Sequence, residues 1–239
     1  MAKTVKKINH LKIDYIKYKI AGVISFTITF AALVSFIIFP PLVSLLALVT
    51  SAILGNVFLK KSHILKIGWK GEEKSLKVYS KLSDSYIVMS DVYVTVDGET
   101  SQIDHIIIGD NGVFVVETKN INGIIEGNEN SNKIIQYKIG RGGGSYTKEH
   151  YNPVKQVSTH VYRVSKLFKQ HRINTWVQGI VYFVNDEAEV KLHSNAIPVF
   201  SASKGGKQEI LTYITKYKNR TGTLSIIEKE KIQKCLLKR

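Results

Sequence analysis

Cysteine is almost missing from this chain: Cys235 is the single one in 239 residues. That excludes an intramolecular disulfide framework and a zinc site built on cysteine pairs, and it permits a reducing compartment. Acidic residues are scarce too, 19 against 34 Lys and Arg, leaving a net charge of +15. A balance of this sign suits a polyanion, either nucleic acid or an anionic lipid surface, with ordinary solubility charge as the plain alternative. Internal repeats and long disordered linkers are absent. No G-K-[S/T] follows the run Arg141-Gly142-Gly143-Gly144, so it is not a P-loop. It reads as a loop, with Arg141 beside backbone that can approach a phosphate.

Charge of either sign is missing from residues 20–59. Pro40-Pro41 divides this stretch into 20–39 and 42–59, each near the length that a bilayer core requires. Proline there interrupts helix and favours a turn. The expectation is a transmembrane hairpin of two helices. A cleaved signal peptide has an apolar run of only ~7–15 residues, and neither half shows the polar face of an interfacial helix. Lys3, Lys6, Lys7, Lys12, Lys17 and Lys19 precede the first span, and Lys60, Lys61, Lys66 and Lys70 follow the second. Both flanks are therefore expected on the cytoplasmic side. The segments expected are a basic N-terminus (1–19), the membrane hairpin (20–59), a junction (60–67), a soluble domain (68–203) and C-terminal helices packed on it (204–239).

The soluble part is organised around residues 101–120, S-Q-I-D-H-I-I-I-G-D-N-G-V-F-V-V-E-T-K-N. This reads as two strands joined by a tight Asp-Asn-Gly turn. Alternation puts Ile103, His105 and Ile107 on one face of the first strand and Gln102, Asp104, Ile106 and Ile108 on the other. In the second strand Val113, Val115, Glu117 and Lys119 share a face. Charges in such apolar strands are costly to bury unless paired or bound to a metal. Asp104 and Glu117 can supply two carboxylates to a hard cation such as Mg²⁺, with a backbone carbonyl near Thr118 as a third oxygen. Lys119 points the same way as Glu117 and can hold water or neutralise a phosphate. A salt-bridged hairpin at a sheet edge is the alternative.

Asp104 followed by Glu117-Thr118-Lys119 resembles the D…E-x-K signature of the restriction-endonuclease-like PD-(D/E)XK nuclease superfamily. More narrowly, the chain resembles the nuclease-related domain, NERD, through Gly68-Trp69-Lys70-Gly71-Glu72, the hairpin motif above and Asn152-Pro153-Val154-Lys155-Gln156. The resemblance runs from Gly68 to about Ser203. It implies a restriction-endonuclease-like α/β/α sandwich with a mixed sheet and Mg²⁺ (or Mn²⁺) on Asp104 and Glu117. It also implies that Lys119 acts in catalysis, with Glu72 and Gln156 orienting the site from two helices.

Around this motif, residues 68–82 read as a helix, with Glu72, Leu76 and Tyr79 on one face and Glu73 rotated away. Residues 86–96 read as a strand. Residues 121–151 read as irregular, with one strand at 133–139. Asn152-Pro153 opens a helix as N-cap and first residue. Its apolar face is Val154, Val157, Val161, Val164 and Phe168, and Gln156, His160 and Arg163 form a polar stripe beside it. His160 and Arg163, like Arg141, are candidates to touch nucleic acid. Strands at 175–184 and 197–201 and helices at 207–217 and 225–238 complete the chain, with Ser225 and Glu228 fitting a capping box. The order gives an α/β sandwich with a mixed sheet. The expected function is metal-dependent hydrolysis of DNA or RNA by a domain anchored to a lipid bilayer through residues 20–59. A nucleic-acid-binding module without turnover, and a membrane scaffold, are the alternatives.

Overall fold

The computed structural model describes residues 1–6, 9–35, 41–140 and 143–237, and the chain divides into two compact units, 8–70 and 1–7 with 71–239. Arg141 and Pro40 lie outside the described residues.

The first unit is built from helix α1 (His10–Ser35) and most of helix α2 (Pro41–Tyr79). Both are long and apolar enough to cross a membrane. Ile20, Val23, Phe30, Leu33, Leu42, Leu46 and Ile53 are exposed. The seam between the helices is made of small and hydroxylic residues. Gly22 lies against Leu59 and Gly55 against Phe26, while Thr29 Oγ1 meets Ser51 Oγ at 2.8 Å and Ser35 Oγ meets Ser44 Oγ at 3.2 Å. Small residues let helices approach closely where no hydrophobic effect drives them together. At the lysine-rich end, Tyr15 stacks on Trp69 at 5.9 Å, Lys12 lies over Trp69 and Lys61 over Tyr18. Residues 60–67, expected as a junction, are helical: α2 runs without a break through them and on to Tyr79, so the helix expected at 68–82 is the last part of a longer one.

The second unit holds a six-stranded sheet in the order β1-β2-β3-β4-β8-β10. Its strands are β1 (Lys3–Lys6), β2 (Ile87–Val96), β3 (Glu99–Gly109), β4 (Gly112–Lys119), β8 (Val177–Phe183) and β10 (Val199–Ser201). The β1–β2, β4–β8 and β8–β10 pairs are parallel, and β2–β3–β4 is an antiparallel meander. On one face the sheet packs Val88, Ile107, Phe114, Val116 and Ile180 against Val78 and Tyr79 of α2 and Ile210 and Ile214 of α4 (Gly206–Lys216). On the other it packs Ile106, Ile108, Val113, Val115 and Val181 against Val157 and Val164 of α3 (Pro153–Gln170) and Ile232 and Leu236 of α5 (Ile226–Leu237). The result is the mixed α/β sandwich expected. The Ser225–Glu228 capping box opens α5, with the Ser225 N–H on Glu228 Oε2 at 2.8 Å and the Glu228 N–H on Ser225 Oγ at 3.3 Å.

A second sheet corrects the irregular reading of 121–151. It is ordered β7-β6-β5-β9, from β5 (Gly123–Asn128), β6 (Lys133–Ile139), β7 (Ser145–Tyr151) and β9 (Ala188–His193). The strand β9 lies in what reads as a loop after Asp186, and it pairs with β5 across some sixty residues of chain. Another correction concerns Ile103. The register skips the Asp91–Asp104 pair between Ser90–His105 and Val92–Ile103. Asp91 has φ 56°, in the left-handed region that Asp tolerates better than most residues. Alternation slips there, so Ile103 packs on the α3 face with Ile106 and Ile108 and not with Ile107.

The N-terminus is also more than a basic tail. Residues 3–6 pair with residues 87–90, Ala2 is buried and Val5 packs on the core. A fragment beginning at residue 60 would therefore omit a strand. Deleting residues 2–6 from the full chain should lower its stability by about 2–6 kcal/mol, from four strand pairs at roughly 0.5–1.5 kcal/mol net per hydrogen bond. Urea denaturation in detergent would measure the difference, and an unchanged midpoint would show that β1 contributes nothing.

Candidate active site at the end of β4

The strand β4 lies between β3 and β8, and its last three residues carry the polar groups. The β3–β4 pairing ends at His105 opposite Val116. Just beyond it, Asp104 Oδ2 accepts the Thr118 N–H at 2.8 Å, so a side chain takes the place of a ladder acceptor. Alternation in β4 puts Glu117 on the face of Val113 and Val115, toward α3. Lys119 Nζ donates to Glu117 Oε1 at 2.7 Å and to Gln156 Oε1 at 2.9 Å. Glu117 is 2 % exposed and Lys119 24 %, so the carboxylate is buried and the lysine side chain partly exposed.

The start of α3 fixes Gln156. Asn152 is fully buried; its side-chain oxygen caps the Val154 N–H at 3.0 Å, and its amide donates to the carbonyls of Asn128 and Ser131. This ties the helix to the β5–β6 turn and places Gln156 one turn in. Gly179 of β8 lets α3 come close, since a Cβ there would stand 2.9 Å from Ile197 and 3.0 Å from Val161. One turn beyond Gln156, His160 Nε2 stands 3.4 Å from Glu117 Oε2. His160 is therefore buried at the site, not on a phosphate-facing surface. Arg163 is engaged by Glu99 at 2.6 Å and by Ser101.

From the opposite face comes α2. A Cβ on Gly71 would lie 2.6 Å from Asn120 Cβ, so only glycine allows the helix this near to the residue that follows Lys119. Its neighbour Glu72 is thereby buried beside the site, and its charge acts on Asp104. Below it Ser75 Oγ bonds His105 Nε2 at 2.6 Å, and Ser90 Oγ bonds His105 Nδ1 at 2.9 Å. The sequence reading missed this buried Ser75–His105–Ser90 chain. The available signal was a lone histidine in an otherwise apolar strand.

The electrostatics follow from this crowding. Burial, then repulsion from Glu117 and from Glu72, push the Asp104 carboxyl well above the usual carboxylate range, against the pull of Lys119 and the Thr118 N–H. Burial also works against ionisation of Glu117, but Lys119 and His160 outweigh it and hold its pKa below the ordinary value. For Lys119, burial favours the neutral amine; Glu117 and Asp104 outweigh it, and the pKa rises. The pair is thus ionised, and Asp104 is the group that a further cation would relieve.

Among the described residues no three His, Cys, Asp or Glu side chains stand together as a complete ligand set for a metal. A divalent ion here would take part of its shell from water, as Mg²⁺ usually does. The residues present fit such an ion in one specific way: buried beside Glu117 and Glu72, the Asp104 carboxyl carries a repulsion that a cation would relieve.

Residues 67–184 match the family model described as nuclease-related domain. An uncharacterised protein of Bacillus anthracis is 40 % identical over 117 residues, covering 46 % of this chain and 51 % of that protein. The chain thus spans about half the length of the curated relative it matches. No solved structure matches it.

Burial holds the His105 pKa down at about 3, with Glu117 and the Glu72 backbone opposing. Its unfolded value is about 6.5. The unfolded chain therefore takes up a proton first, and this group's contribution to stability is lost as pH falls from about 6.5 toward about 3. His105→Asn should destabilise the protein by about 1–3 kcal/mol at pH 7, because Ser75 and Ser90 lose a partner. It should also flatten the acid limb relative to wild type. Urea midpoints from pH 7 to pH 4 would read both, and parallel limbs would contradict the assignment.

Proposed function

We propose that the chain, whose residues 67–184 match the nuclease-related domain model, hydrolyses phosphodiester bonds in DNA or RNA, with Mg²⁺ or Mn²⁺ held by Asp104 and Glu117. The observation that carries this reading is the meeting of Asp104, Glu117 and Lys119 at the end of β4, two mutually repelling carboxyl groups beside one ammonium. A bound ion supplies a polarised phosphate and a water of lowered pKa. Lys119, whose pKa is raised, is poorly suited to remove a proton from water. Its charge instead stabilises negative charge developing on the phosphate. Glu117 and Gln156 each take one of its N–H groups, leaving the third for substrate. Glu72 adds a second negative neighbour to Asp104 and so favours retention of a cation. The net charge of +15 supports a polyanionic substrate.

The domain works at the cytoplasmic face of a membrane, anchored by two spans. Three features support this. Two helices are long and apolar enough to cross. Residues 3–6 and 87–90 share one sheet, so the chain between them must return to the side it left. Tyr15, Tyr18 and Trp69 are covered by lysines at that end of the hairpin, the composition of a membrane interface on the positively charged side.

Purified full chain in detergent should cleave mixed DNA and RNA only with a divalent ion. Asp104→Asn and Glu117→Gln should each cut the rate by about a hundredfold or more, and Lys119→Ala should lower turnover more than metal affinity. Cleavage that survives Asp104→Asn would overturn the assignment, and salt-sensitive binding by a wild type that never cleaves would favour the binding module. In cell membranes the full chain should resist both high-salt and alkaline washes. Release by salt alone would mean that the hairpin does not span.

A further inference from the structure

The two faces of the second sheet differ in charge. Ile135 and Tyr137 of β6 are exposed and mark the outer face. Glu126 and Glu149 flank Ile135 there, and Glu189 lies beyond Ile124, the partner of Tyr137. Lysines on that face are paired: Lys133 with Glu149, and Lys191 with Glu126 and Glu189. The inner face holds none of these acids. Ile125, Ile134 and Leu192 pack it into the core beside Val154 of α3. From there it continues along the β6–β7 ribbon as His150, then Gln136 opposite Lys148, then Lys138 opposite Tyr146. Neither Lys138 nor Lys148 forms an ion pair among the described residues, and the Tyr146 side chain is 51 % exposed.

This basic stretch adjoins the site. Gln136 Nε2 donates to the carbonyl of Asn122, three residues after Lys119, and Gln136 Oε1 lies 2.8 Å from His150 Nε2. Burial, then the charges of Lys148, Lys119 and Lys138, hold the His150 pKa down. Three ammonium groups therefore act on one imidazole. From Tyr146 to His150 the strand spans about 14 Å, long enough for several phosphates of one nucleic-acid strand.

We infer that the inner face of β6 and β7 is a platform for single-stranded nucleic acid, with Lys138 and Lys148 on phosphates and a base stacked on Tyr146, leading the strand to Lys119. The inference rests on the nucleic-acid reading above and not on a bound ion. Lysines alone would suit a duplex or a single strand. The exposed ring decides between them, because a base stacks on a side chain only when it is free of its own helix.

The test uses the full chain in detergent, without divalent ion, titrated with a short fluorescent oligonucleotide and with its duplex. The single strand should bind more tightly. Tyr146→Ala should weaken it about tenfold and the duplex by no more than about twofold, and Tyr146→Phe should keep it. Lys138→Gln and Lys148→Gln should each lower the salt slope of single-strand binding by about 0.7. Lys133→Gln, on the outer face, should leave it unchanged. Single-strand binding indifferent to Tyr146 and Lys148 would overturn the platform and leave this face to an acidic protein or lipid surface. Equal loss for both nucleic acids in Tyr146→Ala would overturn the stacking and the preference it creates. In either case Asp104-dependent cleavage would leave the hydrolytic reading standing. If the wild type binds neither nucleic acid at low salt, the nucleic-acid reading falls as well.

Discussion

The ion pair within one strand, Glu117 with Lys119, is the constraint on which the site depends. A buried carboxylate at the end of an apolar strand is tolerable only with a compensating charge. Two-residue spacing puts that charge on the same face of the same strand. The geometry must then be held from outside, because a lysine side chain left to itself keeps its freedom. Gln156 does this from α3, and Asn152 in turn holds α3 to the β5–β6 turn. The second sheet is therefore part of what positions the ammonium. Removing one partner of such a pair strands the other, so neutral isosteres are more informative than alanine at Glu117.

A second constraint concerns connectivity. The chain makes strand β1, leaves to build the helical hairpin, and returns through α2 to the same unit. The hairpin is thus an insertion within the architecture of the sandwich, with both of its ends tied to it. No segment of low complexity separates the apolar helices from the sandwich in the sequence. One helix, α2, supplies apolar surface in its first part and Gly71, Glu72 and Ser75 to the site in its last part.

The sandwich, the central hairpin, α3 with its cap and the α5 capping box are legible in the sequence because each rests on local chemistry: alternation, a turn, a cap. Strands β1, β5, β7 and β9 are not, for different reasons. Four residues of β1 are too few to show a period. All but one residue of β7 is exposed, so it has no apolar face to betray it. In β9, Ala188, Val190 and Leu192 do alternate with Glu189, Lys191 and His193, but their partner is β5, far away in sequence. The grouping of Asp104, Glu117, Lys119 and Gln156 was legible from the motif. The inward position of His160 was not, because helical spacing gives a stripe and only packing says what the stripe faces.

The slip in alternation at Asp91 and Asp104 ties these points together. A regular ladder would give Asp104 a fixed face and would satisfy the Thr118 N–H from the backbone. Here the Asp91–Asp104 pair is absent from the register, Asp91 is left-handed, and the Thr118 N–H is taken by the Asp104 carboxylate. Asp104 thereby sits at the break, where it feels Glu117 from the α3 side and Glu72 from the α2 side. The regular part of the sheet, Ile106 to Ile108 against Val113 to Val115, is apolar on both faces and provides the rigidity. The irregular end provides the convergence of charge. A hydrophobic pattern cannot encode that convergence, since the departure from the pattern is what creates it.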